Sequence, residues 1–128
     1  MKQVLPAVFL YYEVLMKDYP PTTFKKIMGI VNGTTNYILT KMDEEGVSYE
    51  DALAEAQRLG FAEADPTSDV EGLDAARKMA ILGRLAFSTP VDLQDVDVKG
   101  IHGIELKDLR YASQLGYTMK LIGFANFF

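Results

Sequence analysis

Cysteine is absent from the 128 residues, so disulfides, thiolate metal sites and a cysteine nucleophile are excluded. The lone histidine, His102, leaves no multi-histidine metal centre and argues against a Ser-His-Asp triad. Tryptophan is missing and only 5 prolines occur, so no low-complexity class fits. Basic residues are in deficit: 13 Lys plus Arg against 18 Asp plus Glu give a formal charge of −5. Nucleic acid or an anionic membrane needs a basic footprint, so neither is an expected partner. Long apolar runs are lacking too. Val4–Tyr12 (VLPAVFLYY) falls well short of the ~20 residues a membrane helix needs, and as a signal peptide it has a single Lys2 in front and no small-residue cleavage site behind it. It reads as a buried strand or helix segment. No G-x-G-x-x-G and no internal repeat occur in the sequence. What remains is a small soluble domain of a reducing compartment, the cytoplasm.

What is present is ordinary globular composition, with 48% apolar, 24% charged and 11% aromatic residues. Asp18–Thr23, with paired prolines, interrupts the chain. Phe24–Val31 (FKKIMGIV) reads as a strand that stops at Asn32-Gly33. Thr34, Thr35 or Asn36 then caps a helix over Tyr37, Ile38, Leu39 and Met42 that ends at Gly46. Ser48 with Asp51 opens a second helix, stopped by Gly60. The acidic loop FAEADPTSDVEG (residues 61–72) leads into a long helix from about Val70 to Phe87, with Asp69 as its N-cap. Apolar residues cover nearly its whole circumference, so burial on all sides is expected. Val91–Val98 suggests a half-exposed strand or extended loop, Leu106–Leu115 an amphipathic helix, and Tyr117–Phe128 a final strand. The end on Phe127-Phe128 reads as a truncation. The fold class expected is α+β, with a mixed or antiparallel sheet covered by helices.

Chemistry concentrates in two places. Asp74 and Lys78 are four apart on a helix, hence neighbours, and the acid stands on the favourable N-terminal side. The bland alternative is a surface ion pair of little worth, and the apolar surround weighs against it. The acids Glu63, Asp65, Asp69, Glu71 and Asp74 fall in an EF-hand-like register. Ser68, however, stands where that turn demands glycine and Pro66 stiffens the loop, so no metal is assigned. The second place is GIVNGTTNYIL (Gly29–Leu39), a strand, a glycine turn and a polar helix start, which is either a simple cap or a set of amides open to an anion. His102 reads as structural or solvent-facing.

KKIMGIVNGTTNYILTKM (Lys25–Met42) followed by GFAEADPTSDVEGLDAARKMAILGRLAF (Gly60–Phe87) closely resembles the substrate-binding region of the homoserine dehydrogenase family. The resemblance runs from about Phe24 to Gly123. It divides the chain into an atypical amino-terminal segment, residues 1–23, and a substrate and dimerisation domain, residues 24–128. It implies a domain like the carboxy-terminal domain of glyceraldehyde-3-phosphate dehydrogenase. The implied reaction is the NAD- or NADP-dependent interconversion of L-homoserine and L-aspartate 4-semialdehyde, on the route to threonine, methionine and isoleucine. Lys78 matches the family's catalytic acid/base, and Glu63 and Asp74 match acids that hold the substrate. Asp69 matches a further active-site acid, Thr34 a substrate-side contact and Gly60 a backbone contact to the nicotinamide nucleotide. A homodimer through the sheet is implied, and so is a dinucleotide-binding domain that this sequence does not contain. The alternative is a non-catalytic truncated module that only self-associates through its sheet.

Carboxylates are natural acceptors for the ammonium of homoserine. Reducing an aldehyde also needs a proton donor at oxygen while hydride reaches carbon, and a lysine ammonium can serve.

Overall fold

The computed structural model describes residues 24–126. The expected amino-terminal segment, its apolar run and Phe127-Phe128 lie outside the described residues. The fold is α+β: strand β1 (Lys26–Gly29), helices α1 (Gly33–Glu45), α2 (Tyr49–Arg58), α3 (Thr67–Val70), α4 (Leu73–Phe87) and α5 (Leu106–Gln114), then strand β2 (Gly123–Asn126). β1 and β2 pair antiparallel, with Ile27 opposite Ala125 and Gly29 opposite Gly123. Strand pairing is shorter than Phe24–Val31 and Tyr117–Phe128 promised. Among the described residues the ladder closes over four positions of each strand.

Two apolar clusters hold these elements. The larger joins Ile38, Leu39 and Met42 of α1 to Ala52 and Ala56 of α2, with Val70, Ile101 and Leu109. The smaller joins Val31 to Ala75 and Met79 of α4, with Ile27 and Ala125 from the sheet packed against it. Leu121 touches both. β2 can lie on α4 because Gly123 has no side chain: a Cβ there would stand 2.5 Å from Met79.

Local chemistry explains the ends. Asn32, not Thr34 to Asn36, caps α1, and Gly46 closes it in the left-handed conformation. Ser48 caps α2 as expected, and Gly60 follows that helix at φ 80°. The long helix expected over Val70–Phe87 is broken. Gly72, at φ 84°, separates the single turn α3 from α4, and Asp69 sits inside α3 instead of capping the longer helix. The loop that returns after α4 crosses this break, where the Ile101 amide donates to the Val70 carbonyl at 2.7 Å. That crossing is so close that a Cβ on Gly100 would collide with the Val70 carbonyl oxygen. Nor is α4 buried all round. Ala75, Ala76, Met79, Ala80, Gly83, Ala86 and Phe87 face inward, whereas Ile81 is 52% exposed. Val91–Val98 forms no strand, because a capping box between Asp92 and Asp95 winds Leu93–Asp95 into a 3-10 turn.

Candidate active site

The seam between the two clusters is where the polar residues meet. Asn32 follows Val31 of the smaller cluster, Asp69 precedes Val70 of the larger, and Asp74 precedes Ala75 of the smaller. Each polar side chain is thus carried by a buried neighbour, which fixes its backbone.

Asn32 is itself 5% exposed. Its Nδ2 donates to Asp69 Oδ1 at 2.7 Å and to Asp74 Oδ2 at 2.8 Å. Its Oδ1 accepts from the Thr35 amide and the Thr35 hydroxyl, both at 2.8 Å. The Lys78 ammonium lies 2.7 Å from Asp74 Oδ2 and donates to the Val31 carbonyl at 2.9 Å. Two consecutive residues at the β1–α1 junction therefore hold the two members of the Asp74–Lys78 pair. Burial pushes the Asp74 carboxyl up, yet hydrogen bonds from Lys78 and Asn32, with the charges of Lys78 and Arg77, outweigh it and hold it below its ordinary value. Arg77 itself donates to Ser68 Oγ at 3.0 Å. With the Lys78 and Asp74 side chains 48% and 31% exposed, the pair is open to a ligand and contributes little to stability.

Thr34, two residues after Asn32, is joined to the residue that follows Gly60. The Thr34 hydroxyl donates to the Phe61 carbonyl at 2.6 Å, which ties the first turn of α1 to the residue after Gly60. The Phe61 ring meets Tyr37 edge-on at 5.0 Å. Nothing approaches within 4 Å of where a Gly60 Cβ would stand, so its backbone is open on that side. Glu63 is exposed on the acidic loop. The loop is pinned by Gln57, which donates to the Glu63 carbonyl at 3.0 Å. The Glu63 carboxylate has no hydrogen-bond or ion-pair partner among the described residues. Asp65 is used locally: it accepts from the Thr67 hydroxyl and amide at the start of α3, and these bonds lower its carboxyl. His102 is paired with Glu71 at 3.0 Å.

Asn32 and the Val31 carbonyl are the residues that sequence reading passed over. Asn32 was legible only as a turn residue. Its hydrogen bonds reach 37 and 42 positions along the chain, which no local pattern reports.

The family profile described as "Homoserine dehydrogenase" matches residues 12–127. The chain belongs to the homoserine dehydrogenase family. The Bacillus subtilis homoserine dehydrogenase is 71% identical over 101 residues, covering 79% of this chain and 23% of that protein. The crystal structure of the Thiobacillus denitrificans homoserine dehydrogenase superposes with a TM-score of 0.86 at 43% identity, over 91% of this chain and 27% of that one. A hyperthermophilic archaeal homoserine dehydrogenase, solved in complex with NADPH, superposes at 0.69 with 28% identity, over 90% of this chain and 32% of that one. The chain thus spans about a quarter of the length of the curated family members it matches. Family members are oxidoreductases. Among the described residues no helix is long and apolar enough to cross a membrane.

Proposed function

We propose that this chain supplies the substrate-binding and proton-transfer part of a homoserine dehydrogenase, which interconverts L-homoserine and L-aspartate 4-semialdehyde in the cytoplasm. The observation that carries the reading is the Lys78 ammonium, half exposed and held between Asp74 Oδ2 and the Val31 carbonyl. These two contacts use two of its three N–H donors and leave the third for a substrate oxygen. In the reductive direction Lys78 gives a proton to the aldehyde oxygen, and in the oxidative direction it takes the proton back from the alcohol. Asp74, one turn earlier on α4, holds the ammonium in place. Asp74, Asp69 and the exposed carboxylate of Glu63 supply acceptors for the substrate ammonium.

NADP or NAD, when bound, supplies or accepts the hydride. The open backbone face at Gly60 fits the nicotinamide end of either, and Thr34 fixes that face through Phe61. Threonine, methionine and isoleucine biosynthesis is the metabolic setting that this reaction serves.

The test is a complete homoserine dehydrogenase carrying residues 24–126 of this chain. Lys78→Ala should lower kcat by ~10²–10⁴-fold with a smaller change in KM, the loss expected for a general acid. A variant that retains parental kcat overturns the assignment.

Self-association through the sheet belongs to the same proposal. Met28, Ile122 and Phe124 are exposed on or beside the two strands, 59%, 52% and 54% respectively, and an apolar surface of this kind favours a second copy. Sedimentation at micromolar concentration should show a dimer. Monomer alone removes it.

A further inference from the structure

Asn32 does more than cap a helix. A cap needs only its Oδ1, which accepts from the Thr35 amide. The two Nδ2 bonds, to Asp69 and Asp74, contribute nothing to α1. Its amide orientation follows from chemistry alone, since the Thr35 amide can only donate and ionised carboxylates can only accept. All of its donor and acceptor capacity is engaged, and the group is buried with the 0% exposed Thr35 at its side.

The chain has also been bent to make this clamp possible. Asp69 and Asp74 are five residues apart, and on one continuous helix they would point about 140° apart. The left-handed Gly72 breaks the helix between them, and both carboxylates then reach one amide nitrogen. The half-exposed Lys78 would otherwise spread over many rotamers.

We propose that Asn32, locked by Thr35, is a positioning residue for proton transfer by Lys78: it clamps Asp69 and Asp74 together and so fixes the carboxylate oxygen that holds the ammonium. The proposal rests on the oxidoreductase reading for its kinetic consequence, but the clamp itself can be measured without turnover.

The test uses the same complete enzyme carrying residues 24–126, together with the 128-residue chain. Serine caps a helix about as well as asparagine but cannot bridge two carboxylates, so Asn32→Ser separates the two roles. We expect kcat to fall ~10–100-fold, as for the loss of an orienting partner, with KM changed less. The acid limb of the pH profile should move upward. Asp74 then loses a donor that favours its ionised form and faces Asp69 without a shared proton, while Lys78 and Arg77 still attract it. Thr35→Val, which unlocks the amide, should reproduce a weaker version, and Thr35→Ser, which keeps the hydroxyl, should restore the parent. If circular dichroism shows that Asn32→Ser does not fold, this Thr35 pair decides the question in its place: equal kcat in both Thr35 variants rejects the clamp. In the 128-residue chain, carbon-13 titration of the Asp74 carboxyl should show a higher midpoint for Asn32→Ser. Parental kcat and an unmoved acid limb in Asn32→Ser reject the positioning role, and an unmoved Asp74 midpoint rejects it even where the enzyme is inactive. Full activity of Lys78→Ala would instead overturn the proton-transfer role of Lys78, and the Asp74 titration would then decide whether the clamp exists.

Discussion

Replacing Asp74 with asparagine should destabilise the 128-residue chain at pH 7 and do so less in acid. Asp74 Oδ2 accepts from both Lys78 and Asn32, at 2.7 and 2.8 Å. A carboxamide oxygen at this position can still accept from both donors, but it lacks the charge that strengthens the two bonds. With side-chain exposures of 48% and 31%, the ion pair itself is worth about 0–1 kcal/mol after solvent screening. The larger loss falls on the bond from Asn32, 5% exposed, which has a charged acceptor in the parent and a neutral one in the variant. A hydrogen bond to a charged group is worth about 1.5–3 kcal/mol and a neutral one about 0.5–1.5, so this loss is about 1 kcal/mol. The sum is about 1–2 kcal/mol, which at ~1–2 kcal/mol per molar urea lowers the midpoint by about 1 M.

The pH dependence follows from the direction of the shift. The folded Asp74 carboxyl lies below its unfolded value, so its contribution is fully present above the unfolded value near ~3.9 and fades as pH falls through the lower folded value. Urea titrations followed by circular dichroism at pH 7 and at about pH 2.5 should therefore show a gap between parent and Asp74→Asn that narrows in acid. An unchanged midpoint at pH 7, or an equal gap at both pH values, refutes the reasoning.

Gly100→Ala should cost about 3 kcal/mol or more, since its Cβ would collide with the Val70 carbonyl oxygen and stand 2.5 Å from Glu71 Cα, so the crossing loop must move. A urea midpoint within error of the parent would show that this crossing is looser than those contacts imply. The 128 residues alone should bind NADPH weakly and reduce no aspartate semialdehyde. A tightly held pyrophosphate sits at a glycine-rich helix start, and no G-x-G-x-x-G occurs in the sequence. Lys78-dependent loss of nicotinamide absorbance would overturn that expectation.

Sequence alone determined most of the elements and the identity of the acids. Period, caps and left-handed stops are local, so Ser48, Gly46 and Gly60 marked helix ends that the fold keeps. The Asp74–Lys78 contact was legible because residues four apart on a helix are always neighbours. The two long motifs carried the family. What the tertiary structure decided is everything that depends on two distant segments meeting. Gly72 reads in sequence as one residue in a helical pattern, yet a loop 28 positions on packs across it at Gly100 and the helix divides there. Asp69 consequently became a partner of Asn32 and not a cap. The strands shortened to the four residues that pair, and α4 left Ile81 exposed. Asn32 shows the division most clearly. Its place after a strand marked it as a turn residue, but its hold on two carboxylates arises only when the two apolar clusters bring Val31, Val70 and Ala75 to a common seam.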